Sequence, residues 1–338
     1  MILSPRDTRF AYGLRIASDF VLPDLPASDS DDAPDISIEL GPVLPHSEVE
    51  RLTAPDSLIE NVMTFEDNEC RVLFSAVGRF SMKNGEHVFV EPVEGTTESS
   101  WRLPLLGSAL ALLLEQRSLF ALHAGAVEMS GPGGIPVACA FAGEKGQGKS
   151  TLGAALSVAG FPLLCDDVLA LQMPPSRAEP ALALRGFGGM KLVPDAVQAV
   201  LNRSPDELPP VAPELREVAQ FDKRHFVAPL ATQGRPLRHI FLLASHGDEP
   251  DDEEEEAIRE DVTLRALAPQ EALAHLLPHT FAARWGDLYL KGARRATHFK
   301  ACAQVVGSCR VWELSRRRDL KLIPGTIELI TRTVRETA

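Results

Sequence analysis

The amino-acid sequence predicts an α/β protein, and three observations carry that prediction. An apolar run at residues 137–142, typical of a buried strand, leads into a glycine-rich loop and then into a short apolar helix over 151–159 that ends at a glycine. A second apolar run, 161–165, follows at once and ends in two aspartates. The stretch before residue 98 is rich in strand candidates, including a hairpin whose turn is Asn84-Gly85.

The glycine-rich loop matches G-x-x-x-x-G-K-[ST], the pattern of a phosphate-binding P-loop. Glycines let the backbone turn tightly with its N–H groups pointing inward, where they and the N-terminus of the next helix attract phosphate. We expect Lys149 to reach the β- and γ-phosphates of ATP and the Ser150 hydroxyl to hold Mg²⁺. The residues predicted to bind the nucleotide in this loop are Gly143, Glu144, Lys145, Gly146, Gln147, Gly148, Lys149, Ser150 and Thr151.

The two aspartates, Asp166 and Asp167, begin only 17 residues after Lys149. In α/β sheets, ligands bind where the carboxyl ends of strands emerge, so acids at the end of a neighbouring strand would face the same phosphates. One carboxylate can coordinate Mg²⁺ while the other accepts the proton of an attacking hydroxyl. Motor ATPases usually carry a later Asp-Glu pair, and transporter ATPases carry Leu-Ser-Gly-Gly-Gln, which is absent here. The pattern therefore favours phosphoryl transfer to a hydroxyl over hydrolysis.

Segments 123–127 (His-Ala-Gly-Ala-Val), 143–151 and 160–171 together resemble the catalytic core of HPr kinase-like serine kinases. The resemblance implies a P-loop kinase core of the HPr kinase/phosphoenolpyruvate carboxykinase-like type, with a strand-rich N-terminal region. Residues 12–23 and 116–123 are more narrowly similar to the HPr kinase-like branch encoded with lasso-peptide biosynthesis genes. Members of that branch phosphorylate the C-terminal serine of a precursor peptide, so the resemblance implies an ATP- and Mg²⁺-dependent serine kinase acting on a peptide or small protein.

The same resemblance implies roles for individual residues. Asp166 would be the general base, Asp167 and Ser150 would bind Mg²⁺, and His123 would sit beside the acids. Arg185 opens an Arg-Gly-Phe-Gly segment that is similar to the Arg-Gly-x-Gly stretch of HPr kinases and is expected to contact phosphate or substrate. Bifunctional HPr kinases have Glu at the position of Thr151, and this departure argues against a dephosphorylating activity.

We expect two parts in the chain. Residues 1–98 would form a strand-rich region that packs on the core or recognises a peptide, and the sequence does not decide between these roles. Residues 99–338 would form the kinase core, with an acidic surface loop at 248–256 that contains eight acids. The apolar run 103–114 is too short to span a bilayer and is predicted to be a core helix.

Composition narrows the choice of partners and of compartment. The net charge of −13 argues against a nucleic-acid or anionic-membrane surface, because such surfaces need clustered Lys and Arg. The only dense basic run near the C-terminus, 316–318, is expected to be a solvated face or a helix-end decoration rather than a binding patch. Five cysteines without metal-ligand spacing indicate buried thiols in a reducing cytoplasm, and residues 1–7 lack the apolar core of a signal peptide. The sequence leaves open whether the protein forms a homo-oligomer.

Two alternatives to the peptide kinase stay open as well. The acceptor could be another hydroxyl compound, such as a small metabolite. The protein could instead be a nucleotide sensor or maturation chaperone that binds ATP and a peptide without transferring phosphate. The presence of both Asp166 and Asp167 disfavours this second alternative, because binding alone needs no base.

Overall fold

A computed structural model describes residues 7–29, 32–43, 61–66, 68–74, 77–176, 179–213, 222–245 and 261–337. Within these ranges the structure is mixed α/β, with a seven-stranded sheet, an eight-stranded sheet and a separate two-stranded pair. The acidic loop predicted at 248–256 lies outside the described residues.

The N-terminal sheet is formed by strands β1 (Asp7–Ala11), β2 (Leu14–Ser18), β3 (Ile36–Leu40), β4 (Asn61–Phe65), β5 (Glu69–Phe74), β6 (Gly78–Lys83) and β7 (His87–Pro92). Their order is β1-β2-β3-β7-β6-β5-β4, with β3 parallel to both of its neighbours. The turn between β6 and β7 has φ of 57° at Asn84 and 68° at Gly85. Positive φ at both central residues is what a type I′ turn requires, so the predicted hairpin is confirmed.

A buried helix joins this sheet to the rest of the molecule. It consists of α1 (Glu98–Pro104), a wider π-helical turn (Leu105–Ala109) and α2 (Leu110–Gln116), so the core helix predicted at 103–114 is confirmed. The π turn follows Pro104, whose ring and missing N–H disturb the α-helical ladder. The helix shares one hydrophobic cluster with the N-terminal sheet and with residues from later in the chain, including Val168 and Phe281. At the expected boundary near residue 98 the chain thus passes from strands to a helix, and one hydrophobic cluster continues across it.

The larger sheet contains β8 (Phe120–Ser130), β9 (Pro136–Gly143), β10 (Leu163–Cys165), β11 (Val168–Gln172), β12 (Leu182–Ala183), β15 (Arg235–Ser245), β16 (Val262–Ala266) and β17 (Arg310–Arg316), while β13 (Gly189–Leu192) and β14 (Arg224–Val227) form the separate pair. Strands β9, β15 and β17 run parallel to one another, and β9 lies between β8 and β15. Their carboxyl ends therefore meet at one edge of the sheet.

Helices cover both faces of this sheet. They are α3 (Lys149–Val158), α4 (Pro194–Leu201), α5 (Pro269–Leu276), α8 (Gly292–Ser308) and α9 (Ile323–Glu336). Two short helices, α6 (Phe281–Arg284) and α7 (Gly286–Tyr289), pack instead in the hydrophobic cluster of the N-terminal sheet. Alternate residues of β9 point to opposite faces: Phe141 packs in a cluster with α3, α4 and α9, whereas Ala140 and Ala142 pack in a cluster with α5 and α8. In the described ranges, none of the helices is long and apolar enough to cross a membrane.

Candidate active site

The glycine-rich loop (residues 143–150) connects the carboxyl end of β9 to the N-terminus of α3. Gly146 and Gly148 have φ of 92° and 84°, a conformation that residues with side chains rarely adopt. The ammonium of Lys149 donates hydrogen bonds to the carbonyl oxygens of Gly143 at 2.7 Å and Glu144 at 3.1 Å. The strand, loop and helix predicted from the sequence are thus formed, and the lysine lies folded over the first part of the loop.

Asp166 and Asp167 lie in the short connection between β10 and β11, and both of these strands pair with β8. A β-carbon at Gly125 of β8 would lie 3.1 Å from the backbone oxygen of Asp166. This close approach explains the glycine in the His-Ala-Gly-Ala-Val segment. Because β8 also pairs with β9, the acids are held beside the strand that carries the glycine-rich loop.

Asp166 is almost fully buried, with 5% of its surface exposed. Within the described part of the chain, neither of its carboxyl oxygens has a hydrogen-bond partner. Burial raises the pKa of Asp166, and the charge of Asp167 raises this pKa further; Lys191 and the Ser150 hydroxyl act in the opposite direction. The site therefore contains a buried carboxyl group with a raised pKa beside the serine of the glycine-rich loop.

Asp167 is held between two basic side chains. Its Oδ1 lies 2.9 Å from Nδ1 of His123, and its Oδ2 lies 3.1 Å from Nζ of Lys191 in β13. Burial alone would raise the pKa of Asp167, but Lys191 and His123 outweigh that effect and hold the pKa well below its ordinary value. The side chain keeps 27% of its surface exposed. Asp167 is thus an ionised carboxylate within reach of molecules that enter from outside.

Further cations surround the two acids. Burial outweighs the charges of the two acids and lowers the pKa of Lys149, whereas the charge of Asp167 raises the pKa of Lys191. The charge of Arg284 in α6 opposes protonation of both lysines. Lys223 also interacts electrostatically with Asp166 and Asp167. Such a concentration of positive charge at the carboxyl ends of parallel strands is suited to binding phosphate groups.

Lys191 and Arg284 are site residues that the sequence motifs do not identify, whereas Lys223 belongs to segment 221–225, a sequence candidate for contact with phosphate or substrate. Lys191 is the one polar side chain at the end of the Gly-rich segment 185–192, and Lys223 lies in a short polar and basic segment. Neither segment lies at a sequence distance from Asp166 and Asp167 that would predict contact with them. Only the pairing of β13 with β14 brings these two segments together.

Two further arginines are notable in the sequence. The guanidinium of Arg185 lies over the ring of Phe10 in β1 at 5.4 Å, and its expected contact with phosphate or substrate stays a prediction. The prediction of a solvated face at 316–318 is wrong for Arg316, which is only 7% exposed and lies against the glycine-rich loop. The reason is its position as the last residue of β17, where the strand meets the loop.

A cavity of about 310 Å³ opens onto Asp167 and Lys191. Its walls come from Pro23 and Asp24 after β2, from α1 and the π turn, and from β13 and β14. At its wall Asp24 lies 2.8 Å from Nε2 of His225 and 3.3 Å from Nε of Arg102. Burial would raise the pKa of Asp24, but His225 and Arg102 lower it overall.

The N-terminal sheet and the core thus contribute to the same cavity. They are also joined directly, because the buried hydroxyl of Tyr12 donates a hydrogen bond to the backbone oxygen of Val168, the residue after the acid pair, at 3.0 Å. The N-terminal region therefore packs on the core beside the acids. Its residues Pro23 and Asp24 also line the cavity.

Comparison with known proteins adds little to this geometry. No protein-family model and no curated protein matches the chain. Among solved structures, the chain is similar to the HPr(Ser) kinase/phosphatase from Coxiella burnetii, with a TM-score of 0.29 and 14% sequence identity over 63% of this chain and 96% of that chain. A TM-score this low does not establish a common fold, so the assignment of the site depends on its own residues.

Proposed function

We propose that the protein is an ATP- and Mg²⁺-dependent kinase that transfers the γ-phosphoryl group to a serine hydroxyl of a peptide or small protein. One observation carries the proposal: the strands that lead into the glycine-rich loop and the acid pair both pair with β8, while the cavity opens onto Asp167. Hydrolysis needs only a water molecule at the acids. A cavity of about 310 Å³ gives an organic acceptor room to reach them.

The residues of the loop fit a nucleoside triphosphate. The backbone N–H groups of the loop and the N-terminus of α3 would bind the phosphates. Lys149 would exchange its bonds to the carbonyls of Gly143 and Glu144 for bonds to the β- and γ-phosphates. This exchange keeps the ammonium satisfied in both states.

The residues beside the loop also fit Mg²⁺. The carboxylate of Asp167 and the Ser150 hydroxyl would supply the oxygen ligands that Mg²⁺ prefers, and Asp166 lies beside them. Over the described ranges, no group of three or more His, Cys, Asp or Glu side chains could hold a metal alone. This agrees with an ion held by one or two carboxylates together with the phosphates. When bound, the ion would neutralise charge on the phosphates.

Asp166 is our candidate for the general base. Its pKa is raised, and a base works best when its pKa approaches the working pH. Asp167 would then be the metal ligand, kept ionised by Lys191 and His123. The opposite assignment has an observation in its favour, since the Ser150 hydroxyl acts on Asp166 and Asp167 lies in the cavity wall. Asp166→Asn and Asp167→Asn variants separate the two assignments, as set out in the Discussion.

For the acceptor, the C-terminal serine of a lasso-peptide precursor is the sharpest form of the proposal, and it rests on the resemblance in residues 12–23 and 116–123. The test is incubation of candidate peptides with Mg-ATP, followed by mass spectrometry. We expect a gain of one phosphate at a serine, and no gain when that serine is replaced by alanine. Release of ADP at the same rate with and without peptide would contradict the kinase and favour an ATPase or sensor.

The cavity can be tested as the acceptor site by narrowing its mouth. Val227 lines the cavity and is 61% exposed, so Val227→Trp should fill the opening without disturbing the core. We expect a higher KM for the peptide and an unchanged affinity for ATP. Val158→Trp is a matched control, because Val158 is 58% exposed at the end of α3 and does not line the cavity. Equal peptide KM values in the two variants would place the acceptor elsewhere.

A further inference from the structure

Arg316 occupies an unusual position for an arginine. It ends β17, which runs parallel to β15 and through it beside β9, so it lies at the same edge of the sheet as the glycine-rich loop. It is 93% shielded from solvent, with 7% of its surface exposed, and burial lowers its pKa. Its neighbour Arg317, by contrast, keeps 49% of its side-chain surface exposed and pairs with Asp261.

The guanidinium of Arg316 points at the loop. Its Nη2 lies 3.5 Å from the backbone oxygen of Gln147, at the long limit of a hydrogen bond. A β-carbon on Gly148 would lie only 2.6 Å from the same Nη2, which shows how closely the group approaches the loop backbone. Among the described residues no carboxylate forms an ion pair with Arg316. A guanidinium has five N–H donors, and the contact with Gln147 engages one of them.

The two cationic side chains that contact the loop, Lys149 and Arg316, lie at different places along it. The Lys149 ammonium lies on the carbonyls of Gly143 and Glu144, at the start of the loop. The Arg316 guanidinium lies at Gln147 and Gly148, where the loop enters α3. In loops of this pattern, the backbone cradles the α- and β-phosphates and the lysine reaches the β- and γ-phosphates.

We propose that Arg316 binds the α- and β-phosphates of the nucleotide, at the end of the loop opposite the Lys149 ammonium. This inference rests on the proposed function, since it assumes a nucleotide in the loop. The ligand class is a nucleoside di- or triphosphate, because the planar fork of arginine matches two phosphate oxygens at once. Since both ADP and ATP carry these phosphates, Arg316 should contribute equally to the binding of each.

The experiment is a titration of fluorescent ADP and ATP analogues into the full chain carrying Arg316→Gln, with Arg317→Gln as the control from the same basic run. We expect Arg316→Gln to weaken both nucleotides by a similar factor, roughly 10- to 100-fold, as for a lost charge-assisted hydrogen bond. Arg316→Lys should lie between this variant and the parent. Arg317→Gln should bind like the parent.

The result that overturns the inference is parental ADP affinity in Arg316→Gln while Lys149→Ala has lost it. An arginine that only supports the loop would lower the melting temperature and leave the affinity of the folded protein unchanged. If Arg316→Gln does not fold, Arg316→Lys decides, because parental ADP affinity in that variant would contradict a two-oxygen contact. Failure of the parent chain to bind either nucleotide would instead refute the proposed function itself.

Discussion

Lys191 and Asp167, 24 residues apart in the chain, form an ion pair of 3.1 Å that joins β13 to the connection between β10 and β11. Lys191 lies in β13, and Asp167 follows β10. The lysine places a positive charge beside Asp167, the carboxylate that we propose as a metal ligand. It keeps Asp167 ionised, and it also competes with a cation for that carboxylate.

Replacing Lys191 by Met should raise the pKa of Asp167, because the charge of Lys191 is the strongest of the effects that lower it. As the pH is lowered, the carboxylate of Asp167 would then become protonated at a higher pH than in the parent. We expect phosphoryl transfer to fall more at acidic than at alkaline pH, so the acid limb of the pH–rate profile moves to higher pH. Lys300→Met, on the exposed face of α8, is the control and should keep the parental profile. An unshifted acid limb in Lys191→Met would show that the ionisation of Asp167 does not control phosphoryl transfer.

Replacing Lys149 by Ala removes the charge that is expected to span the β- and γ-phosphates. We expect the affinity for ATP to fall roughly 10- to 100-fold and transfer to fall with it, while the fold persists. Isothermal titration with Mg-ATP and circular dichroism measure the two properties separately. Lys83→Ala, at the exposed end of β6, serves as the control. A Lys149→Ala variant that binds and uses Mg-ATP like the parent would show that the glycine-rich loop is not the nucleotide site.

Sequence patterns were sufficient where the signal is local. The helix after the loop begins at Lys149 and is followed by Gly160 with φ of 95°, and the hairpin at Asn84-Gly85 forms, because capping and turn residues act on their immediate neighbours. The buried strand at 136–143 follows from the continuous apolar run at 137–142.

Contacts between distant segments could not be predicted in the same way. The ion pairs of Asp24 with His225 and of Asp167 with Lys191 depend on how β13 and β14 pack beside α1. Arg316 is the clearest case, because its contact partner Gln147 lies 169 residues earlier in the chain. Within a run of three arginines, no local property distinguishes the one that ends a strand against the loop from the two that follow it.

The two acids should respond differently to amide substitution. If Asp166 is the base, Asp166→Asn should lower transfer by roughly 10² to 10⁴ while ATP still binds. Asp167→Asn should weaken the hold on the metal, and part of its defect should recover as Mg²⁺ or Mn²⁺ is raised. Titration of activity against metal concentration distinguishes the variants. Metal rescue of Asp166→Asn instead would exchange the two roles, and parental transfer by both variants would refute the acid pair as catalytic.

The same two variants should move thermal stability in opposite directions with pH. The pKa of Asp166 is raised above its ordinary value of 3.8 by folding, so the parent loses stability as pH rises from 3.8 through that higher value. Asparagine carries no such charge. We therefore expect the melting temperature of Asp166→Asn, relative to the parent, to increase from about pH 4 to pH 8, in spite of its lost activity.

For Asp167 the sign is reversed, because folding lowers its pKa below 3.8. The stabilisation from its ion pairs is fully present above that value and is lost as pH falls through the lower folded-state pKa. At neutral pH, Asp167→Asn leaves Lys191 without its partner, at a cost of about 1–3 kcal/mol. Its deficit in melting temperature should shrink below about pH 4, where the parent also loses the pair. Differential scanning calorimetry of the parent and both variants across this range measures the prediction, and parallel pH curves for the three proteins would contradict the opposed pKa shifts of the two acids.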